Sequence, residues 1–398
     1  MKKINIFGVF PGIEIGKTTA KTLNESDIVF SGERNSELLN IEAKKLVLIK
    51  DMKNFMENFQ IAYENGKTIS IISSGDPLFF GIGRYISLHY PHGDINIEPG
   101  VSSVQVALSR INMDYAGLKI ISLHGRNIDG TAQRVRNSDK VIIFTDMANT
   151  PSKIAEYLLK FNIDNYRAYV FENLGYASEK IHELALVGLI EKSFTKLNLL
   201  LLVRTCEKKY SLDDDQFERE NNNITKKEIR EISIGELQIR NGDILWDIGS
   251  GSGSISIHAA FYDTEGEIIA IEMNKKRCML IENNRRKFSS DIKIVNGIAP
   301  GILDSLPDPD KIFIGGSHGK LASIIKTAFS RLKEGGIMVI NTTTLENLNT
   351  ALETLKNIDA SYRIIHANIS VSREISSYTM LFPIDPVYII KVEKNGRH

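Results

Sequence analysis

One acid and three glycines at the end of an apolar run have the spacing of a site for a nucleotide-type cofactor. In the stretch DILWDIGSGSG, Asp247 is followed at once by Gly249, Gly251 and Gly253. Glycine lets the backbone turn sharply and approach a ligand, and the helix-like stretch that follows offers free N–H groups at its start. Glu272 ends the next apolar run, where a carboxylate can accept both hydroxyls of a ribose.

The glycine spacing bears on which cofactor the loop holds. The dinucleotide fingerprint GxGxxG, counted from Gly249, needs a third glycine where this chain has Ser254. An acid followed by GxGxG resembles motif I of the Rossmann-like methyltransferases, which bind S-adenosylmethionine (SAM). The stretch NGIAP, which contains Ala299, follows the third strand, where an adenine edge is usually held. NAD, or a tight turn without a ligand, are the alternatives. The candidate cofactor residues here are Asp247, Gly249, Ser250, Gly251, Ser252, Gly253, Glu272 and Ala299.

Three further loops in the first half follow apolar runs of their own. They are GVFPG, SSGDPLFFGIG and EPGVSSVQVALSR. The carboxyl ends of strands are where α/β proteins bind ligands. SGDP alone is equally consistent with a plain turn, but the three loops in this order resemble the tetrapyrrole (class III) methyltransferases, a second and unrelated SAM-binding fold of two α/β lobes. The candidate cofactor residues of this half are Pro11, Gly75, Asp76, Ser102 and Ser103.

The elements that must position these loops are short apolar runs rich in Ile and Val, separated by longer mixed segments. Continuous apolar runs are typical of strands buried on both faces, and the alternation with amphipathic segments predicts an α/β fold. In the first half the predicted strands are 4–9, 27–32, 68–73, 95–99, 119–123, 141–145, 168–173 and 197–204. Two lobes that meet near residue 115 fit this length better than one sheet.

The second half repeats the α/β pattern and ends differently. DILWDIG, EIIAIEM, IKIVNG, DKIFIGG and GIMVINTT are its predicted parallel strands. The tail YRIIHANIS, YTMLF and VYIIKVEK then gives three strands without a helix between them. We therefore predict a Rossmann-like sheet with antiparallel strands at one end.

A polar seam separates the halves. The stretch 208–223, KKYSLDDDQFERENNN, has few apolar residues and suits a linker or an exposed crossing. It predicts a first domain over 1–207, with lobes of about 1–115 and 116–207, and a second domain over 224–398.

Composition restricts the class of protein. The 398 residues include 49 basic and 49 acidic side chains, so a zero net charge favours neither general nucleic-acid binding nor a membrane surface. The two cysteines form no disulfide framework. No apolar stretch reaches the roughly 18 residues of a membrane helix, and the start lacks the core of a signal peptide. We expect a cytoplasmic protein without a membrane partner.

Taken together, the stretches resemble one family over nearly the whole chain. In the first half these are SGDPLFFGIG, PGVSSVQVALSRI, ISLHGR, NTPSKIAEYLL, ENLGYASEKI and LNLLLLVR. In the second they are DDDQF, ITKKEIREISIGEL, LWDIGSGSGSISI, AIEMNKKR, NGIAPGILDSLPDPDKIFIGGS, LKEGGIMVIN and TLE. The chain resembles the fused corrin-ring methyltransferases of cobalamin biosynthesis. In that family the first part methylates carbon 5, and the second methylates carbon 15 and decarboxylates the acetate on carbon 12.

The resemblance implies a tetrapyrrole substrate, precorrin-6B or its cobalt form, two SAM sites and no nucleic-acid partner. It also places Thr225, in a Thr–Lys pair, near SAM, although that pair is equally consistent with a helix cap. Two positions depart from the family. Phe10 replaces the second glycine of the usual GxGPG loop, and His258 stands where a glutamate is frequent.

The implied chemistry needs alignment more than acid–base help, so we assign no catalytic side chain. Because the substrate carries many carboxylates, its pockets should offer Arg or Lys. Arg126, after His124, is the candidate in the first half, with Arg84 and Arg110 as weaker ones. For His124 itself, hydrogen bonding within its loop is favoured over the role of a base.

No metal site is expected, since His89 and His92 alone are too few ligands. Two other functions stay open, an RNA methyltransferase and a SAM-binding protein with one decayed half. The basic stretch 274–288 suggests RNA contact less than a solvated helix face. We also expect a homo-oligomer.

Overall fold

The computed structural model describes residues 3–37, 46–49, 51–221, 224–263 and 265–394. The last two residues of the predicted linker, 222 and 223, and the two ends of the predicted domains, at 1 and 398, lie outside these ranges. The described chain forms two five-stranded sheets, one seven-stranded sheet and one two-stranded hairpin, in that order along the sequence except that the hairpin interrupts the last sheet.

The first sheet is fully parallel, in the order β3-β2-β4-β1-β5. Its strands are β1 (Ile4–Val9), β2 (Ile28–Ser31), β3 (Leu46–Leu48), β4 (Ile69–Ser74) and β5 (Ile95–Glu98). The helices around it are α1 (Lys17–Glu25), α2 (Glu33–Glu37), α3 (Met52–Glu64), α4 (Ile82–His89) and α5 (Ser103–Arg110). The continuous apolar runs form strands that are buried on both faces of the sheet, as predicted, with their Ile and Phe side chains in two core clusters.

The second sheet has the order β6-β7-β10-β8-β9, and only β6 and β7 pair in parallel. Its strands are β6 (Leu118–Ser122), β7 (Lys140–Phe144), β8 (Tyr166–Glu172), β9 (Lys180–Ala185) and β10 (Asn198–Arg204), with helices α6 (Thr131–Arg136) and α7 (Pro151–Lys160). The sequence analysis missed β3 and β9. The first is an apolar run of only three residues, and the second is a largely exposed edge strand without a continuous apolar run.

The stretch predicted as a linker is packed where the structure describes it. Phe217 is 4% exposed and stacks on Phe288, with ring centroids 4.5 Å apart. The fully buried Arg230 donates to Asp214 Oδ1 at 2.8 Å, and Tyr210 Oη lies 2.6 Å from Ser289 Oγ. Between Tyr210 and Phe217 the segment is therefore attached to the second half, whereas Lys208 pairs with Asp164 of the first half at 2.6 Å.

The third sheet has the order β13-β12-β11-β14-β15-β19-β16, in which β19 runs antiparallel to both of its neighbours, β15 and β16. Its strands are β11 (Ile244–Ile248), β12 (Glu267–Glu272), β13 (Lys293–Asn296), β14 (Lys311–Ile314), β15 (Ile337–Thr342), β16 (Tyr362–Ala367) and β19 (Val387–Glu393). Its helices are α8 (Lys227–Leu237), α9 (Ser254–Ala259), α10 (Lys275–Lys287), α11 (Leu321–Arg331) and α12 (Leu345–Asn357). This confirms the Rossmann-like fold with an antiparallel end.

The prediction of three strands in the tail is wrong in one respect. Four strands are present, and β17 (Ser370–Ile375) and β18 (Tyr378–Pro383) pair only with each other, as a hairpin outside the main sheet. No helix among the described residues has the length and apolar character to cross a bilayer.

A buried arginine joins the second lobe to the third sheet. Arg136 ends α6 and is 7% exposed. Its guanidinium donates to Phe288 O at 3.1 Å, to Ser290 Oγ at 2.9 Å and to Ala260 O at 2.5 Å. It also lies 4.0 Å from the ring centroid of Phe261. A buried charge persists only when its donors are satisfied, so this contact fixes the junction between the halves.

We expect Arg136→Met to lower the free energy of unfolding by about 3 kcal/mol, because several buried acceptors lose their donor. Calorimetric heating of the full chain measures the effect. Arg134→Met is the matched control, since Arg134 lies on the same helix and its Nε is 3.6 Å from Glu265 at a partly exposed position. Equal melting temperatures for the two variants would contradict the role of Arg136.

Candidate active sites

The three loops of the first half meet at the carboxyl ends of β1, β4 and β5. A Cβ placed on Gly8 would lie 2.4 Å from both Gly100 N and Gly75 O, so the backbones touch where no side chain fits. Gly75 N donates to Val9 O at 2.7 Å. The three loops that the sequence pattern singled out, which follow three different strands, are therefore in contact in the fold.

The predicted cofactor residues of this half lie around that convergence. Asp76 Oδ1 accepts from Leu78 N at 2.8 Å, which closes the turn after β4. Ser102 caps α5, and its Oγ accepts from the backbone N–H of Gln105 at 3.2 Å in a capping box. Ser103 is the first residue of α5, so this helix start points free N–H groups toward the loops.

A cavity of about 760 Å³ opens beside the convergence, between the two lobes. Of the five predicted cofactor residues, Pro11 lines it, whereas Gly75, Asp76, Ser102 and Ser103 are not among its lining residues. The lining residues are Phe10, Pro11, Gly12, Ile13, Val101, Gln105, Val106, Ser109, Arg110, Tyr115, Gly175, Tyr176, Ala177 and Glu179.

Phe10, the departure from the GxGPG loop, fills space between the lobes. It is 9% exposed and packs in one cluster with Val104, Phe171 and Leu174. A Cβ on Gly175 would lie 2.4 Å from Pro11 O and 2.7 Å from the Phe10 ring. The close approach of the loop backbone is therefore made at Gly8 and Gly175, and the ring at position 10 packs on the second lobe.

The positions of the substrate-binding candidates do not follow the order of preference that the sequence suggested. His124 and Arg126 are exposed in the loop after β6, and neither lines the cavity of the first half. Arg84 is exposed on α4. Arg110, ranked lower, lines the cavity. His89, on α4, stacks on Tyr85 at a centroid distance of 4.1 Å.

In the second half, Asp247 ties the end of β11 to the glycine loop and to α9. Its side chain is 1% exposed, and its Oδ2 accepts from Ser250 Oγ at 2.7 Å and from Ser256 Oγ at 2.5 Å and N at 3.1 Å. Burial raises the pKa of this carboxyl to about 6 against the donation from the two serines. Asp247 is thus an internal brace of the loop.

The three glycines of this loop are required for different reasons. A Cβ on Gly249 would lie 2.5 Å from Gly316 O, and one on Gly253 would lie 2.9 Å from Ile281 Cγ2. Gly251, with φ of +60°, has no protein atom within 4 Å of such a Cβ. The space next to Gly251, called the cradle below, is therefore free of protein atoms.

Glu272 and Ala299 have other surroundings than expected. Glu272 is 3% exposed, and its carboxylate accepts from Gly251 N and Asn274 N, each at 2.9 Å. Neither residue lines the cavity of this half, and Ala299 packs against the core cluster that contains Trp246. In this structure Glu272 braces the glycine loop with the oxygens that were expected to face a ribose.

The cavity of the second half holds about 720 Å³ and lies at the switch point between β11 and β14. Thr225 and the residues Asp247 and Gly249–Ser252 line it. The others are Ile224, Lys226, Ile229, Ser254, Ile255, Arg277, Phe313, Ile314, Gly315, Gly316, Ser317, His318, Gly319, Leu321, Asn341, Thr342, Thr343, Asn347, Asp385 and Val387.

The wall contains three buried oxygens without a hydrogen-bond partner in the described chain, Ser252 Oγ, Asn341 Oδ1 and Thr342 Oγ1. Unpaired buried polar atoms are costly, so their concentration around one cavity fits a polar ligand. The sequence analysis missed Asn341 and Thr342, although both end a predicted strand, which is the signal that marked Asp247.

The Thr–Lys pair stands at the start of α8, as the cap interpretation predicts, but without the side-chain bond of a helix cap. Lys226 is the residue before α8, and it makes no side-chain capping bond. The Thr225 carbonyl accepts from the guanidinium of Arg230 at 2.6 Å. That bond fixes the backbone of Thr225 at the cavity wall.

His258 is a packing residue of α9. It is 3% exposed, stacks on Tyr262, and its Nε2 lies 3.5 Å from Glu231 on α8. Burial lowers the pKa of the imidazole. His258 therefore belongs to the contact between α8 and α9, behind the cavity.

Two families match the chain, one in each half. The family described as "Precorrin methyltransferase domain" matches residues 215–394, and the one described as "Tetrapyrrole (Corrin/Porphyrin) Methylases" matches residues 17–187.

Named relatives cover either the whole chain or its second half. The chain is 28% identical over 386 residues to a precorrin-6Y C(5,15)-methyltransferase (decarboxylating) of a Sinorhizobium species. The matched region covers 94% of this chain and 91% of that protein. The chain is 36% identical over 183 residues to a probable cobalt-precorrin-6B C(15)-methyltransferase (decarboxylating) of Pyrobaculum calidifontis, which spans 45% of this chain and 93% of that protein. A crystal structure of precorrin-6Y C5,15-methyltransferase from Geobacter metallireducens is 37% identical, with a TM-score of 0.45, and the match covers 46% of this chain and 100% of that one.

The unpaired hydroxyl in the wall gives a stability prediction. Thr342→Val should leave the free energy of unfolding unchanged or raise it, because no hydrogen bond is lost. Thr354→Val is the matched control, since Thr354 is also buried but donates to Thr350 O at 2.6 Å, and it should cost about 1 kcal/mol. Urea unfolding measures both. A loss for Thr342→Val as large as for Thr354→Val would contradict the assignment.

Asp247 gives a pH prediction. Its pKa is about 6 in the folded protein and 3.8 as the ordinary value, so the folded chain keeps a proton there that the unfolded chain has lost. Stability should therefore fall through this group as pH rises from about 4 to about 6. Asp247→Asn should flatten that slope in urea unfolding across the same pH range. An unchanged slope would show that Asp247 titrates normally.

Proposed function

The chain belongs to the decarboxylating precorrin methyltransferases of cobalamin biosynthesis, in the fused form named precorrin-6Y C(5,15)-methyltransferase, and from this premise we propose a division of labour between its halves. It is a SAM-dependent methyltransferase of the precorrin macrocycle. The first half methylates carbon 5, and the second methylates carbon 15 and removes the carboxyl group of the carbon-12 acetate. The observation that carries this proposal is the pair of separate cavities of about 760 and 720 Å³, built on unrelated sheets.

We place the first domain at 1–207, the connecting segment at 208–223 and the second domain at 224–398. Support comes from β10, the last strand of the first half along the chain, which ends at Arg204, and from α8, the first α-helix of the second half, which begins at Lys227. The lobes of the first domain divide near residue 115, between α5 and β6.

The proposal includes two SAM sites. In the first, Pro11, Gly75, Asp76, Ser102 and Ser103 form the loop surface that receives the cofactor. In the second, the surface is formed by Thr225, Asp247, Gly249, Ser250, Gly251, Ser252 and Gly253, with Glu272 and Ala299 at the neighbouring strand ends. The unobstructed face of Gly251 and the unpaired Ser252 Oγ support the second site.

Bound SAM supplies a methyl group on a positively charged sulfur, which an electron-rich ring carbon can attack. What the chain's own residues contribute is alignment and exclusion of water. Asp247, through Ser250 and Ser256, holds the glycine loop in one conformation, and Glu272 holds Gly251 from the other side. A loop braced at two points is preorganised for its ligand.

Recognition of the substrate rests on its carboxylates. Lys226, Arg277 and His318 line the cavity of the second half and offer donors to acetate or propionate side chains. His124 and Arg126 keep their proposed place in the first half as exposed groups near the end of β6. A protonated imine of the macrocycle serves as electron sink for the decarboxylation, so we assign no catalytic acid.

The other expected partners stay predictions. In the basic stretch of α10, Arg285 and Arg286 both pair with Glu282 at 2.6 Å, which favours the solvated-face interpretation over RNA contact. The expected homo-oligomer has a possible contact face in the β17–β18 hairpin, where Tyr378 is 73% and Leu381 71% exposed. A cytoplasmic location also stays a prediction.

Incubation of the full chain with SAM and either precorrin-6B or its cobalt form tests the function. Mass spectrometry of the product should show two methyl groups gained and one carbon dioxide lost. No change of mass with either macrocycle would overturn the proposal, and the comparison of the two identifies the preferred metal state. Calorimetry with SAM should give two sites per chain, whereas one site would indicate a decayed half.

Two variants separate the halves. Gly251→Ala puts a methyl group into the cradle and should abolish the carbon-15 reactions while carbon-5 methylation continues. Gly335→Ala is the matched control, because Gly335 has a similar φ of +76° and a free Cβ position but lies outside the cavity. Asp76→Ala should do the reverse of Gly251→Ala. Equal loss of both methylations in either variant would contradict independent sites.

A further inference from the structure

The cavity of the first half carries its charge in one ion pair. Among its lining residues, all of them described, the charged side chains are Arg110 and Glu179. Arg110 Nε donates to Glu179 Oε1 at 2.7 Å and Nη2 donates to Oε2 at 3.4 Å. These two bonds use two of the five N–H donors of a guanidinium.

The pair crosses from one lobe to the other. Arg110 ends α5 in the first lobe, and Glu179 precedes β9 in the second. Glu179 Oε2 also accepts from the backbone N–H of Gly175 at 2.7 Å, so the carboxylate has a second anchor within its own loop. Donation from Arg110 lowers the pKa of Glu179, which is ionised at neutral pH.

The guanidinium remains available to a ligand. The side chain of Arg110 is 45% exposed and that of Glu179 is 20% exposed. An ion pair this open to water contributes little to stability, because solvent screens the attraction. Glu179 keeps its bond to Gly175 N without Arg110, so the arginine can turn to another carboxylate while Glu179 stays anchored.

The walls around Arg110 suit a broad apolar ligand. Tyr115 is 53%, Ile13 47% and Val101 36% exposed, and all three line the cavity. Large apolar side chains exposed together mark a binding surface. A tetrapyrrole ring has an apolar face and a rim of carboxylates, which matches these walls with a cation at their edge.

We propose that Arg110 binds a carboxylate side chain of the macrocycle and is a specificity-determining residue for methylation in the first half. The inference rests on the proposed function, since it takes the precorrin as ligand. Glu179 competes for the guanidinium and positions it until the substrate carboxylate arrives. SAM also carries a carboxylate, so the test must distinguish the two sources.

The two members of the pair give opposite expectations. Arg110→Met should raise the KM for the macrocycle in carbon-5 methylation by about 10- to 100-fold, the size of a lost hydrogen bond between charged groups, with kcat little changed. Glu179→Gln keeps an acceptor for Gly175 N but removes the competing charge. It should lower that KM or leave it unchanged. Steady-state kinetics at saturating SAM, with carbon-5 methylation followed by mass spectrometry, measures both.

Arg167→Met is the matched control. Arg167 pairs with Glu183 at 2.6 Å within the second lobe, at a similarly exposed position outside the cavity, and its loss should leave the KM unchanged. Carbon-15 methylation should be unaffected in all three variants. Calorimetric titration of Arg110→Met with SAM should give the affinity of the unsubstituted chain.

Each outcome decides the matter. If Arg110→Met and Glu179→Gln raise the KM alike, the pair is an interlobe latch and the inference is overturned. If Arg110→Met weakens SAM binding in the first half, the arginine holds the cofactor's carboxylate and the inference is again overturned. If the unsubstituted chain methylates neither macrocycle at carbon 5, the proposed function fails for this half. An active chain with an unchanged Arg110→Met defeats the inference alone.

Discussion

The buried guanidinium of Arg136 sets the relation between the two halves of the chain. Its partners are carbonyls near the ends of α9 and α10, so they are in place only when the third sheet and its helices are folded. A charge that is nearly inaccessible to water has no cheap alternative to these acceptors. The two halves of the chain are thus held together largely through main-chain atoms, which depend on conformation more than on side-chain identity.

Both cavities follow from the same steric rule, that a loop can approach a ligand or another loop only where Cβ atoms are missing. In the first half Gly8 and Gly100 let the backbones of three loops meet, and in the second Gly249 lies against Gly316. Gly251 is different, because the space beside it is free of protein atoms. Glycine therefore serves internal packing at Gly8, Gly100 and Gly249, whereas Gly251 borders open space.

The sequence predicted those features that local chemistry determines. Continuous Ile and Val runs located the buried strands, and strand-end acids and glycines located both loop clusters. The exposed edge strand β9 and the separate β17–β18 hairpin were missed or misplaced, since their pairing depends on neighbours far along the chain. The sequence placed Arg110 below Arg126 for the same reason. Arg110 lines the cavity only because the two lobes meet there. Asn341 and Thr342 also lie at the end of a predicted strand, but they were missed because neither is an acid or a glycine.

The packing of Phe217 bears on how such a fusion can be taken apart. This ring, from the polar seam, occupies the core of the second half between Phe288 and Arg230, and Glu218 N donates to Asn284. A shortened gene that starts at residue 224 would leave a hole of aromatic size under α10. A free-standing version of the second half should therefore retain the seam from about Tyr210. This polar stretch, which reads as a simple connection in the sequence, is a structural part of the second half.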